Sequence, residues 1–187
     1  MRIALWQCAD CEQQQTDRTE KESEVPMESV EIVEADLDRE DHQQAVIDLI
    51  DAYAMDPMGN GGALPGDVKN ALISGLKKHP TTLIFLGMIN NEAVGIAVCF
   101  IGFSTFAARP LINVHDLAVL PAHRGNGVGR QLLAGVERKA RDMGCCKVTL
   151  EVLENNRRAL NLYAAAGFAR ATYTVEAGGA LFFAKQL

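Results

Sequence analysis

A cluster of glycines between a strand and a helix constrains this chain more than any other feature. Arg124-Gly125-Asn126-Gly127-Val128-Gly129 follows a strand-like run at 112–119 and opens a helix-like run at 130–143. Glycine lets the backbone approach a ligand closely, so that several N–H groups converge on one anion. The start of a helix adds partial positive charge at the same place. A strand, a glycine turn and a helix start therefore point to a ligand that carries a pyrophosphate.

Two nucleotide-binding patterns fail on the residues their mechanisms need. A phosphate loop of the G-x-x-x-x-G-K-[ST] type requires a lysine and a hydroxyl, but Arg130 and Gln131 follow Gly129. A dinucleotide-binding turn requires G-x-G-x-x-G, but Arg130 stands where the third glycine belongs after Gly125 and Gly127. Counting from Gly127 and Gly129 puts Leu132 there.

The pattern that does fit is R-x-x-G-x-G, met by Arg124, Gly127 and Gly129. Val119, Pro121, Arg124 and Gly125 fit the approach V-x-P-x-x-R-G. Downstream, Asn156, Ala159, Leu162, Tyr163, Gly167 and Phe168 fit N-x-x-A-x-x-L-Y-x-x-x-G-F. On these two blocks, which with the chain between them span roughly 113–168, the sequence resembles the GNAT superfamily of N-acetyltransferases. The N-terminal third contributes little to that resemblance.

Periodicity gives a coarse order of elements. A strand is expected at 30–35 and a helix at 41–55, with Ala45, Val46, Leu49, Ile50 and Tyr53 on one face. A glycine- and proline-rich loop follows at 56–66, and Asp67 is the expected N-cap of a helix reaching 76. Apolar strands at 81–89 and 93–104 flank a turn at Asn90-Asn91-Glu92. Next come the strand at 113–119 and the helix at 130–143, with Leu132, Leu133, Val136 and Ala140 inward and Gly144 as its stop. A strand at 147–153 leads to a helix from 156 or 157 to about 166, closed by Gly167. Closing strands are expected at 172–176 and 180–185 around Gly178-Gly179. This order is α/β (α+β), and it agrees with what the resemblance implies. That is a twisted, mixed, mostly antiparallel sheet of about six to seven strands flanked by helices, with the fourth and fifth strands splaying apart around acetyl-CoA.

Composition narrows the class. With 187 residues, 48% hydrophobic and 22% charged, the chain can build one core. No apolar run is long enough to span a membrane, and the short apolar start does not fit a secretion signal, so a cytoplasmic protein is expected. The net charge of −6 is unevenly spread: residues 1–41 hold 13 of the 24 acids and only 4 of the 18 bases. The remainder is mildly basic, which suits a polyanionic co-substrate. No basic stripe interleaved with aromatics argues for nucleic acid. Residues 1–27, rich in Gln and Glu, are expected to form an acidic, mobile leader ahead of a domain over 28–187. Cys8 and Cys11 form a C-x-x-C, but the other cysteines are Cys99 and the adjacent Cys145 and Cys146, which complete no metal-binding pair. No metal is expected.

The chemistry of amide formation assigns further roles. A protonated amine, with pKa near 10, must lose its proton before attack. The attacked oxygen needs an N–H, and the departing thiolate needs a proton. The resemblance implies that Tyr163 supplies that last proton. For the base, His115, Asp116 and Glu151 remain open; in an unbroken strand His115 and Asp116 would face opposite sides. The resemblance also implies that Leu117, Ala118 and Val119 offer backbone to the pantetheine arm. Arg124, Gly125, Asn126, Gly127, Val128 and Gly129 would hold the pyrophosphate, with Arg130 beside them. Asn156 would touch the cofactor, a role compatible with capping its helix. His123 is expected to be exposed loop. The implied acceptor is a small amine or a peptide amine, bound near 53–76, where Asp56 is expected to be a turn residue. Members of such a family often pair, so a homodimer fits too. The alternative is a non-catalytic acyl-CoA-binding sensor.

Overall fold

A computed structural model describes residues 29–171 and 181–186. The expected leader and its C-x-x-C lie outside the described residues, as does the expected strand at 172–176. The elements run β1 (Glu31–Glu34), α1 (Glu40–Met55), α2 (Gly66–Lys78), β2 (Thr82–Ile89), β3 (Glu92–Ser104), β4 (Arg109–Val119), a single 3-10 turn at Pro121–His123, α3 (Val128–Asp142), β5 (Val148–Leu150) and α4 (Arg157–Ala165).

Among the described residues there is one five-stranded sheet, in the order β1-β2-β3-β4-β5. The first three pairings are antiparallel and β4–β5 is parallel. The mixed, mostly antiparallel sheet is the one expected, with fewer strands. Residues 181–185 were expected to be strand but carry no ladder pairing. Their Leu181, Phe182 and Phe183 stand exposed instead of alternating between a core and a solvent face.

β2 and β3 are apolar on both faces because helices cover both. On one face α1 packs Val46 and Leu49 against Ile84, Leu86, Ile96 and Val98, with Ile73 and Leu76 of α2 at the margin. On the other, α3 packs Val128, Leu132, Leu133, Val136 and Ala140 against Leu83, Phe85, Ala97, Cys99, Ile112 and Val114. All four α3 residues expected to face inward are buried. Asn90 and Asn91 turn β2 into β3 with φ of 51° and 64°, the left-handed pair that matches the twist of a two-residue hairpin.

Two features fix the position of α3. Gly87 and Gly95 lie opposite one another on β2 and β3. A Cβ at either would come within 3.0 Å of Cγ1 of Val128, so the two glycines form a dent that receives the first residue of α3. Farther along, a Cβ on Gly135 would reach Ile32 of β1 at 2.8 Å. The helix thus lies close on the sheet at both points. Beside the dent, the β2–β3 register shifts by one residue, leaving Val94 extra. Val94 and Gly95 both address the α3 face as a result, as a β-bulge allows.

Some boundaries differ from expectation. α2 begins at Gly66 after Pro65, and no side chain caps it. Asp67 lies in the first turn, where its charge faces the helix dipole without serving as the cap. β5 is three residues long, because the chain parts from β4 after Leu150.

Leu132 is fully buried between α3 and the sheet. Leu132→Ala is expected to cost about 2–5 kcal/mol through lost burial and a residual cavity. Denaturant titration will show this as a lower midpoint with an unchanged slope.

Candidate active site

β4 and β5 pair only at Ile112↔Val148, Asn113↔Thr149 and Val114↔Leu150, the middle pair tied further by Asn113 Nδ2 donating to Thr149 Oγ1 at 3.1 Å. Past that point β4 continues to Val119, while the other chain leaves the sheet through Glu151, Val152 and Leu153. The gap between them is a cleft of about 600 Å³. Leu117, Ala118 and Val119 line one wall, and Glu151 to Leu153 line the other. Beyond Val114 the β5-side edge of β4 has no strand partner among the described residues.

The glycine loop closes one end of the cleft. Gly125 and Gly127 hold φ of 84° and 81°, a conformation costly for any residue with a Cβ. Gly127 sits at the N-cap position of α3, and no side chain caps that helix. The first-turn N–H groups of a helix have no carbonyl partner within it, and here Val128, Gly129 and Arg130 belong to that turn and line the cleft. Gly129 is a glycine for a different reason. A Cβ there would meet Leu162 of α4 at 3.1 Å, so this position lets α3 and α4 come together. Gly125 and Gly127 also line the cleft; Asn126 is exposed and does not.

Arg124 lines the cleft with its side chain already engaged. Its Nε donates to the Val119 carbonyl at 2.8 Å, and its Nη2 to Oδ2 of Asp56 at 2.6 Å. The Asp56 carboxylate also accepts the Met58 N–H at 2.8 Å, and Arg158 stands 3.9 Å away. These bonds, led by the Met58 amide and then Arg124, hold the Asp56 carboxyl below the usual aspartate range. Asp56 is thus the expected turn residue, with an ion pair added. His123, expected to be exposed loop, is half-buried in the cleft wall.

Strand alternation does not hold at His115. The β3–β4 register pairs Val98 with Asp116 and Cys99 with Val114, so His115 is an extra residue, a second bulge. Asp116 stands opposite Val98, whose side chain packs on the α1 face. The His115 ring meets the edge of Phe100, 5.4 Å between centroids, and Phe100 packs with the same cluster. Both residues therefore lie toward α1, which corrects the expectation that they face apart. His115 is exposed and lines the cleft; Asp116 is partly buried and does not. Burial pushes the Asp116 carboxyl up, against a smaller opposing effect of His115.

Tyr163 faces the cleft from α4. Asn156 starts that helix, its Oδ1 accepting the Ala159 N–H at 3.1 Å, so the expected cap is present and also lines the cleft. Behind Tyr163, the Phe168 N–H donates to its carbonyl at 2.9 Å and the two rings are 6.0 Å apart. Burial pushes the phenol up to about 12, with a smaller contribution from Tyr53. It remains protonated, and able to donate, throughout the neutral range.

Tyr53 opens the stretch expected to lie near the acceptor, although periodicity alone groups it with the α1 face. It shares the α1 face with Val46 and Leu49, but it sits in the last turn, where the helix runs past the core and into the cleft wall. Burial raises its phenol too, followed by the charges of Asp116 and Asp56. Its polar tip, just ahead of a glycine-rich loop, was the available signal. Glu151 lies across from β4, exposed on the cleft wall. Phe182 reaches the same cleft.

The sequence matches the model of the Acetyltransferase (GNAT) family over residues 35–168. It is 38% identical to a thialysine N-epsilon-acetyltransferase of Bos taurus over 74 residues, which is 40% of this chain and 43% of that protein. It is 35% identical to an N-alpha-acetyltransferase of Arabidopsis thaliana over 89 residues, 48% of this chain and 46% of that one. The chain thus spans less than half the length of these curated relatives. Among solved structures, a probable acetyltransferase superposes with a TM-score of 0.70 at 18% identity, covering 83% of this chain and 99% of that one. An aminoglycoside N-acetyltransferase in complex with CoA superposes with a TM-score of 0.65 at 20% identity, covering 86% and 97%.

The buried carboxyl of Asp116 gives a pH-dependent prediction. A carboxyl whose pKa is raised on folding holds its proton more tightly in the fold than in the unfolded chain. Its stability contribution is full below about pH 4, the ordinary aspartate value, and is lost as pH rises through the raised value. Asp116→Asn removes that loss. Thermal melts are expected to show the variant gaining on the native protein in going from acid to neutral pH.

Proposed function

The chain belongs to the GNAT acetyltransferase family, and on that premise we propose that it transfers an acetyl group from acetyl-CoA to a primary amine, by direct attack with both substrates bound. The observation that carries this reading is the parting of β4 and β5. It leaves an open backbone edge, ending at an uncapped helix start with two left-handed glycines, and a protonated tyrosine on the facing helix. The CoA-bound aminoglycoside acetyltransferase shares this fold.

When bound, acetyl-CoA supplies an acetyl group activated as a thioester. Gly125, Gly127, Val128 and Gly129 fit its pyrophosphate: all four line the cleft, and no side chain caps the start of α3, where first-turn N–H groups lack partners within the helix. Asn126 lies outside the cleft lining, between two glycines that belong to it. Arg130 is exposed at the rim and adds charge. Arg124 begins the loop expected to offer N–H groups to the pyrophosphate; its own N–H donates to the Pro121 carbonyl at 3.3 Å. Its guanidinium holds the Val119 carbonyl and so shapes the bend between strand and loop. Leu117, Ala118 and Val119 present the open β4 edge, which can accept an extended arm as an added strand. One N–H of this stretch takes the charge that collects on the thioester oxygen. Asn156 bounds the site at the start of α4.

Tyr163 protonates the departing thiolate. Its raised pKa keeps it protonated across the neutral range. Because a phenol near 12 is a weaker acid than a thiol near 8.5, the proton passes to sulfur as the C–S bond breaks while the tyrosine takes back the proton released by the newly acylated nitrogen. His115 is the better placed of the base candidates. It lines the cleft and is exposed, so it can take a proton from the amine directly or through one water. Asp116 stands behind it, outside the cleft wall, and Glu151 on the facing wall adds negative charge for a cationic acceptor. Relatives named as a thialysine N-epsilon-acetyltransferase, an N-alpha-acetyltransferase and a streptothricin acetyltransferase are consistent with a primary amine as the acceptor class.

A panel of amines incubated with acetyl-CoA is expected to release thiol. Thermal stabilisation by acetyl-CoA without release from any amine would favour a binding-only protein. Tyr163→Phe is expected to lower kcat by about tenfold or more, the scale of general-acid effects, with acetyl-CoA affinity retained. Unchanged turnover would remove Tyr163 from the proton transfer.

A further inference from the structure

Asp56 joins two loops that lie 68 residues apart in sequence. It is the C-cap residue of α1, and its side chain is only 9% exposed. One carboxylate oxygen accepts the Met58 N–H, and the other accepts Nη2 of Arg124. The same guanidinium holds the carbonyl at the end of β4. On the α1 side the loop is pinned in turn. Gly59 donates to the Asp56 carbonyl at 2.8 Å, and Asn60 and Gly62 both donate to the Ala54 carbonyl at 3.1 Å. A Cβ on Gly59 would lie 2.0 Å from the Tyr53 carbonyl oxygen, so this loop is folded tightly against the helix turn that places Tyr53 in the cleft.

We propose that Asp56 is a positioning residue that couples the glycine loop at 124–130 to the loop at 56–64, so that filling the first orders the second. Resting on the acetyl-transfer reading, this means that CoA, held by the glycine-loop amides, helps to form the amine side of the cleft. Fixing the glycine loop fixes the Arg124 backbone. Its guanidinium, already anchored to Val119, then offers Asp56 a stationary partner. By linkage the coupling is reciprocal: an amine that orders the 56–64 loop tightens CoA to the same degree. Arg158, 3.9 Å from the same carboxylate, brings α4 and therefore the Tyr163 helix to this junction.

Amide hydrogen exchange of the whole chain, with and without CoA, tests this. In the native protein CoA is expected to slow exchange in peptides covering 124–130, and also in those covering 56–64 by roughly fivefold or more, the low end of measured site-to-site coupling. Asp56→Asn keeps the size of the side chain and removes its charge. This variant is expected to retain CoA protection at 124–130 and lose it at 56–64, with a raised KM for the amine and a CoA affinity lowered by no more than the same roughly fivefold coupling. Protection confined to 124–130 in the native protein overturns the coupling and leaves acetyl transfer standing. Protection of 56–64 that persists undiminished in Asp56→Asn overturns the role of Asp56. Absence of CoA protection in both segments removes the acetyl-CoA reading and this inference together. The native-protein arm decides the coupling even where the variant folds poorly.

Discussion

The seating of Val128 in the dent between Gly87 and Gly95 is the contact on which the rest of the site depends. An anion site at a helix start works only if that start is held still and aimed at the ligand. Here the first residue of α3 is buried, and its methyl group fills the space left by two missing side chains on neighbouring strands. The dent sets how close α3 lies to the sheet and how far its N-terminus projects past it. Gly129, one residue on, does the same for α4 through Leu162. Three glycines thus bring a sheet, an uncapped helix start and the tyrosine helix to one point.

Around that point the charges are largely paired within the protein. Arg124 and Asp56 are both substantially buried, and each has further hydrogen bonds to backbone. Such a pair adds little net stability over an apolar contact, but removing one partner strands the other charge out of water. Its value lies in geometry: it holds the end of β4 open after β5 has gone. The two phenols, Tyr53 and Tyr163, come from opposite faces of the sheet and meet in the cleft because the strands between them have separated.

Much of this could be read in the residues. The glycine loop, the inward face of α3, the asparagine cap of α4 and the Gly144 and Gly167 stops depend on local rules: periodicity, positive φ and capping. Features that depend on two segments meeting were not visible. Nothing local in Gly87 and Gly95 says that they face one another or that Val128 will fill them. Arg124 belongs to a recognisable motif, yet its side-chain partner Asp56 lies in a loop whose composition indicated only a turn. Strand alternation misdirected the reading of His115 and Asp116, because a bulge is a property of a pairing and not of one strand. Tyr53 carried a core pattern into a position beyond the core.

The bulge at His115 also acts as a phase change along β4. Before it, Ile112 and Val114 point toward α3; after it, Leu117 and Val119 resume that direction three residues later instead of two. The strand's two halves are thus out of step by one residue, and the wall of the cleft is built on the shifted half. The extra residue lets His115 and Asp116 stand side by side toward α1 while Leu117 and Val119 return to α3; its removal would restore plain alternation, leaving Leu117 and Val119 in place and taking the His115 side chain out of the wall. The one-residue surplus in β4 thus adds a side chain to the cleft without taking one from the core.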